Sequence, residues 1–368
     1  MRADRFDSDD WAEIVARLGG EAGLASCARD HGALLRAREV RSASDLLRLA
    51  FMYGPGGLSL RSLAATANAD GLCQLSDVAL LKRLRKAASW LSGLCRHVLA
   101  GGAEGEDATE DATGPSAPRR PIRIIDGSRL EGPGERAWRL HMAYDPRRHR
   151  IADASITRLD QGERLDRLPP EAGAIYLADR GYPQPDGLRR LREANADVLV
   201  RLTWNSLCLR DEEGRPLDWR TLFAQAHAHG ERDVKVTVHK PRGKFPPLPM
   251  RLVLIPKPPD VAARARARAQ KASRKDQRKR TNPLTLEAAN HLILLTSLPT
   301  DDFSTQSLGA LYRLRWQIEL AFKRMKSLLR IDRLPAKDDA LASAWLHAHL
   351  LFALLVDAAT VEMGAFPP

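Results

Sequence analysis

Tyr312, Arg315, Glu319 and Lys326 lie within the run 310–331, at offsets of 3, 7 and 14 positions from the tyrosine. At about 100° per residue, a helix over this run brings all four within an arc of roughly 60°. Leu314, Ile318, Ala321, Phe322, Met325 and Leu329 mostly occupy the neighbouring arc, which predicts an apolar stripe facing inward. One carboxylate beside two cations and a phenol is equipment for gripping a phosphate next to a metal-bound acid. The same face also describes a solvated helix carrying an i,i+4 ion pair. Glu319 is, however, the sole acid of this cationic stretch, and it stands on the cationic stripe.

Two further acids sit where acids are costly unless used. Asp126 ends the apolar run 122–126 and precedes Gly127-Ser128; Asp179 ends 174–179 and precedes Arg180-Gly181-Tyr182. An acid at the end of an apolar strand lies at the lip of a sheet, where side chains converge on a ligand. Taken singly, each is as readily a turn former. Together with Glu319 they supply the three carboxylates that phosphodiester chemistry needs. Two divalent ions roughly 3.5–4 Å apart activate the attacking oxygen and stabilise the leaving one. Hard oxygen ligands point to Mg²⁺ or Mn²⁺. Asp126 is expected to bridge both ions, Asp179 to hold one and Glu319 the other. Arg315 would grip a phosphate bidentately, with Tyr312 beside it and Lys326 as a point charge.

The elements that must position these groups are an α/β set. Residues 122–126, 137–144, 150–157, 174–179 and 197–202 read as strands, with a helix at 185–194 between the last two. Strands, then strand-helix-strand, then a helix is the order of a ribonuclease H-like domain, expected over 122–202 and 300–360. Residues 203–299 interrupt it as a β-rich insertion with strands at 233–239, 251–256 and 291–297. Within it, 262–280 carries nine Arg/Lys against one Asp, a density suited to phosphate backbones or to a solvated arm. Residues 1–100 read as an all-α region, and 101–121 as an acidic linker. The helices 60–68 and 76–90 outline a helix-turn-helix with a long connection, and Lys82, Arg83, Arg85 and Lys86 on the second are candidate DNA contacts. Plain helical packing with a solvated basic face accounts for them nearly as well.

The spacing Y-x2-R-x3-E-x6-K resembles the signature of DDE transposases in the insertion-sequence-four branch. Asp126-Gly127 is similar to that family's first acidic motif, and Asp179-Arg180-Gly181-Tyr182 to its second. The likeness extends from about residue 40 to about residue 355. The resemblance implies cut-and-paste or related DNA transposition: water cuts at the element's end, and the freed 3′-hydroxyl attacks target DNA. It implies terminal inverted repeats and target DNA as partners. The need to bring two ends together implies a homodimer on DNA. The branch also suggests a hairpin step in which an extruded base stacks on a tryptophan of the insertion. The expected position holds Leu292 here, beside His291, while Trp204 and Trp219 lie elsewhere in the insertion; the hairpin step stays open.

Bulk properties agree with an anionic partner: 368 residues, net charge +12 and a pI near 9.9. The charged N-terminus is not a signal peptide, and the apolar run 345–356 is too short to span a bilayer and reads as a core helix. A cytoplasmic, nucleoid-associated protein without a membrane partner is expected. Cys27, Cys73, Cys95 and Cys208 form no zinc or disulfide pattern. Asp145, Asp153, Asp160 and Asp166 are expected to serve turns and solvated faces, and Glu163 at most to support the site. His141 is expected to be a structural histidine, and His347 and His349, two apart on a helix, to face different ways. Two other activities compete: a catalytically inactive DNA-binding relative, which intact acids argue against, and a plain metal-dependent nuclease, which would need neither the helical region nor the insertion.

Overall fold

Ile124 and Ile125 are consecutive residues of one strand, yet both are buried, because the sheet they belong to is covered on both faces. The computed structural model describes residues 8–104, 120–134, 136–240, 243, 246–275 and 281–364. Its strands, numbered in chain order, are β1 (Ile122–Glu131), β2 (Ala137–Asp145), β3 (Arg150–Arg158), β4 (Ile175–Ala178), β5 (Asp197–Arg201), β6 (Cys208–Arg210), β7 (Arg232–His239), β8 (Leu248–Pro256) and β9 (His291–Thr296). They form a single sheet in the order β3-β2-β1-β4-β5-β9-β8-β7-β6. β4 is parallel to β1 and β5 to β4; every other pairing is antiparallel.

Two expectations change here. The strands of 203–299 do not make a sheet of their own. β9 pairs with the free edge of β5, Leu199 opposite Thr296, and β8, β7 and β6 follow outward. An unpaired β5 edge would expose a row of backbone donors and acceptors, so the insertion completes the sheet. Asp126 also does not end its strand. β1 runs on to Glu131, while its parallel partner β4 stops at Ala178 opposite Ile125. Asp126 thus stands in mid-strand, at the first residue left unpaired on the β4 side.

One face of the sheet packs on α1 (Ser8–Arg17), α2 (Gly20–Asp30), α3 (Ala43–Tyr53), α4 (Leu60–Ala69), α5 (Asp77–Glu104), α10 (Thr305–Arg313), α11 (Trp316–Ser327) and α12 (Asp339–Glu362). The other face is covered by α6 (Pro185–Glu193) and α7 (Trp219–His229), with α9 (Pro283–Ala289) alongside. The helix α8 (Pro259–Lys275) carries the first part of the basic segment; 276–280 lie outside the described residues, as does 105–119 of the acidic linker. The linker's first residues, through Glu104, continue α5.

The helical region shares one continuous apolar core with the sheet, from Trp11 through Trp90 to Leu355. α12 is long and apolar enough to cross a membrane by length and composition alone, but more than half of its apolar window is buried against the other elements. Asp338 caps it by accepting from the Leu341 amide at 2.9 Å and receives Arg85 of α5 at 2.9 Å. Trp90 is fully buried in α5 within this shared core. Trp90→Ala is expected to cost about 3–5 kcal/mol, read as a lower urea midpoint, whereas Lys82→Ala on the exposed face should leave it unchanged.

Candidate active site

The helix expected over 310–331 is two helices. After Arg313 the ladder tightens: the Leu314, Arg315 and Gln317 amides donate three residues back, to the carbonyls of Leu311, Tyr312 and Leu314 at 3.0–3.1 Å. Such a 3₁₀-type turn re-aims the helix axis. The four polar residues therefore diverge onto different partners instead of sharing one solvated stripe. Tyr312, from the last turn of α10, donates its hydroxyl to Asp179 Oδ1 at 3.2 Å. Arg315, in the turn, places Nη2 2.5 Å from Glu319 Oε1 and Nη1 3.9 Å from Asp126 Oδ2. Lys326, the penultimate residue of α11, donates to the Arg129 carbonyl of β1 at 3.1 Å. The i,i+4 ion pair exists, but its arginine also reaches the acid of the central strand.

Asp126, Glu319 and Lys326 line an open cleft of about 840 Å³, with Lys323, Arg330 and Arg333 around it. Arg330 adopts a positive φ of 55° just beyond α11, an unusual conformation for a side-chain-bearing residue. Asp179 sits across Tyr312 from the cleft, with Arg201 Nη1 3.8 Å from Oδ1. Arg201 ends β5 as the acids end or interrupt their strands. The same lip-of-the-sheet reasoning, applied to cations as well as acids, would have found it.

Burial pushes Asp126 up to about 6, and the charges of Glu163 and Asp179 add to the push against the Gly127 amide and Arg315. Tyr312 is also pushed up, by burial and then by Asp179, so it remains a donor. Among the described residues no three His, Cys, Asp or Glu side chains stand close enough to hold a metal ion as they are. Arg315 lies between two of the acids, on a line a cation would use. The donor set nevertheless fits a hard divalent cation: all-oxygen, crowded with like charge and open to solvent through the cleft.

The other sequence candidates separate. Arg83 donates to the Ala33 carbonyl at 3.4 Å and Arg85 pairs with Asp338; Lys82 and Lys86 are exposed on α5. Trp204 donates to Thr285 Oγ1 at 3.2 Å, and Trp219 packs on Phe223, both partly buried within the insertion. His291 stacks on Phe223, and Leu292 packs against the main core. His141 is buried on Thr157 and pushed down to about 4 by burial, as a structural histidine would be. His347 and His349 each face a carbonyl four residues back, Ser343 and Trp345. Asp145 closes a turn onto the Arg147 and Arg148 amides, and Asp166 pairs with Arg164 and Arg190.

Asp126 and Asp179 thus lie at the parallel centre of a mixed sheet, with a cationic helix over them. The model of the transposase DDE domain matches residues 117–355, and the chain belongs to that family of DNA transposases. It is 41% identical over 368 aligned residues to the InsL protein of insertion sequence element IS186A from Escherichia coli strain K12, covering 99% of this chain and 97% of the relative. The transposase for insertion sequence element IS421 of Escherichia coli is also 41% identical, over 369 residues with the same coverage. A DDE domain implies a ribonuclease H-like fold, and such domains use divalent metal ions, generally Mg²⁺.

A carboxyl pushed up in the fold is stabilising when protonated. Asp126 thus contributes stability in full below its ordinary pKa and loses it as pH rises through about 6. Asp357 of α12, likewise pushed up to about 6 by burial, titrates in the same window. The metal-free protein is expected to melt progressively earlier as pH rises through that window, less steeply in Asp126→Asn and in Asp357→Asn. Added Mg²⁺ should raise the melting temperature above that window in Asp357→Asn but not in Asp126→Asn, as calorimetry would read.

Proposed function

We propose that Asp126, Asp179 and Glu319 are the catalytic, metal-holding acids of an insertion-sequence transposase of the insertion-sequence-four branch. In this reading the enzyme cuts at the ends of its element and joins the freed 3′-hydroxyl to target DNA. The observation that carries the reading is Arg315, one guanidinium reaching both Asp126 on the central strand and Glu319 on α11 at the mouth of a cationic cleft. Asp126 and Asp179 would hold one Mg²⁺ or Mn²⁺ and Asp126 and Glu319 a second. When bound, the pair supplies an activated attacking oxygen and a stabilised leaving oxyanion.

The chain's own residues do the rest. Arg315 turns from Glu319 to the scissile phosphate as that acid takes up its ligand role, so one rotation exposes the acid and delivers the cation. Tyr312, kept protonated, holds Asp179 in orientation. Lys326, Lys323, Arg330 and Arg333 draw the backbone into the cleft, and the exposed Arg268, Lys271 and Arg274 of α8 extend that contact without sequence preference. The exposed Lys82 and Lys86 of α5 touch DNA at the terminal inverted repeats, while Arg83 and Arg85 serve the helical packing from which they act. A homodimer on DNA follows from the need to bring two ends together. Action on chromosomal DNA fits a cytoplasmic, nucleoid-associated protein. In domain terms, the helical region 1–100 serves DNA binding and the sheet from β1 to β5 with 300–360 the ribonuclease H-like chemistry. The 203–299 segment then extends the DNA-facing lip.

The test is a supercoiled plasmid carrying the ends that flank the protein's own gene, incubated with Mg²⁺. Excision and rejoined products are expected. Glu319→Gln should reduce both by about 10³-fold or more, some 4 kcal/mol of transition-state stabilisation. End binding without cleavage in either protein would make it a non-catalytic relative, and nicking without joining a nuclease. Separately, Lys82→Ala with Lys86→Ala is expected to lower the slope of log affinity against log salt by about 2, measured by anisotropy on end DNA.

A further inference from the structure

Glu163 lies in the connection between β3 and β4, and its carboxylate enters the gap left beside Asp126 where β4 stops. Both acidic strand segments are followed closely by a glycine facing that gap. A Cβ added at Gly181 would stand 2.6 Å from Glu163 Oε2, and one at Gly127 would stand 3.4 Å from Glu163 Cγ. At Gly181 the carboxylate thus occupies space that a side chain would contest, whereas at Gly127 the tighter neighbours are the Tyr182 hydroxyl and Arg139 Cδ, 3.2 Å from the Cβ position.

Its segment is fixed from both sides. Gln184 donates to the Glu163 carbonyl at 2.9 Å, Arg167 to the Gly162 carbonyl at 3.2 Å, and Leu165 and Leu168 are anchored in the core under α6. The carboxylate itself is weakly held: its nearest cation is Arg139 Nε at 3.6 Å, and that Nε is buried without a hydrogen bond. A second group waits in the same gap. Tyr182 is 1% exposed, yet its hydroxyl has no partner. That hydroxyl lies 3.1 Å from the Cβ position of Gly127, close enough to feel the charges of both Asp126 and Glu163. A buried donor without an acceptor is destabilising, a cost that makes sense where a ligand completes the site.

We propose that Glu163 is a fourth carboxylate of the cation-binding centre, drawn in with Asp126 and Asp179 when a divalent ion enters the Gly127–Gly181 gap. The inference rests on the reading of those two acids as metal-holding. It accounts for both glycines, for a carboxylate lacking a firm partner and for the stranded Tyr182 hydroxyl, which gains an acceptor once ligand oxygens fill the gap. Glutamate, with its flexible stem and 30% side-chain exposure, can reach inward farther than a shorter acid.

Mn²⁺ binding to the full, DNA-free chain, counted by electron paramagnetic resonance of the free ion, tests this. Glu163→Gln is expected to weaken binding by about 10–100-fold, with partial recovery in Glu163→Asp. Gly181→Ala, which displaces the carboxylate without removing it, should weaken it as well. Melting temperatures of the metal-free proteins identify any variant that has lost its fold. Mn²⁺ affinity unchanged in folded Glu163→Gln and Gly181→Ala, but lost in Asp126→Asn, would overturn the role of Glu163 and leave the reading of Asp126 intact. Unchanged affinity in Asp126→Asn would overturn both.

Discussion

Carboxylates held near one another beneath apolar packing repel, and the architecture around Asp126 is built to withstand that repulsion. Asp126 is largely buried and sits in the field of Asp179 and Glu163, with Arg315 as its nearest cation at 3.9 Å. Like charges in a poorly solvated place favour protonation or separation, and a backbone that cannot relax prevents the second. Here that backbone is the centre of a sheet packed on both faces. β1 is locked to β2 from Ile124 to Glu131, β4 and β5 are buried on both sides, and the insertion strands remove the free edge of β5. A frayed or two-layered version of the same strands would let the acids drift apart.

The break between α10 and α11 belongs to the same logic. A continuous helix would stack Tyr312, Arg315, Glu319 and Lys326 on one stripe, all aimed at one place. The tightened turn sends Tyr312 to Asp179 and Arg315 toward Asp126, so that one stretch of chain serves both acidic strands. Arg315 then holds two acids together without a metal. An arginine does this better than a lysine, because its planar fork can engage two acceptors at once.

Much of this was legible from residue types. Apolar runs ending in acids marked β1 and β4, and the 3.6-residue period marked α5, α11 and α12. What escaped shares one cause: it depends on which strand lies beside which. Periodicity does not say that β9 will pair with β5, and so does not say that residues 203–299 extend the central sheet. Nor does it say that β4 stops one residue before Asp126's level, which turns a supposed strand end into a mid-strand acid beside a gap. Glu163 shows the same limit. Its sequence context, Gln161-Gly162-Glu163, is that of a surface turn, and only the register of β1 against β4 brings it under Gly127. The basic residues of α5 are told apart by contacts of the same kind. Arg83 and Arg85 look like Lys82 and Lys86 on a helical wheel, but the loop ending at Ala33 and the cap of α12 arrive from 50 and 253 residues away and take two of the four.

Those contacts also bear on how DNA binding and chemistry communicate. The helical region is not strung beside the catalytic sheet; it shares a core with it, and Arg85 is tied to the residue that caps α12. α12 in turn lies against α5 and β3, two strands from Asp126. A force on α5 therefore passes into packed side chains rather than into a flexible hinge. Interiors packed at this density transmit displacement instead of absorbing it. The exposed face of α5 that carries Lys82 and Lys86 is in this way held in a fixed relation to the cleft, across the packed span between α5 and β1.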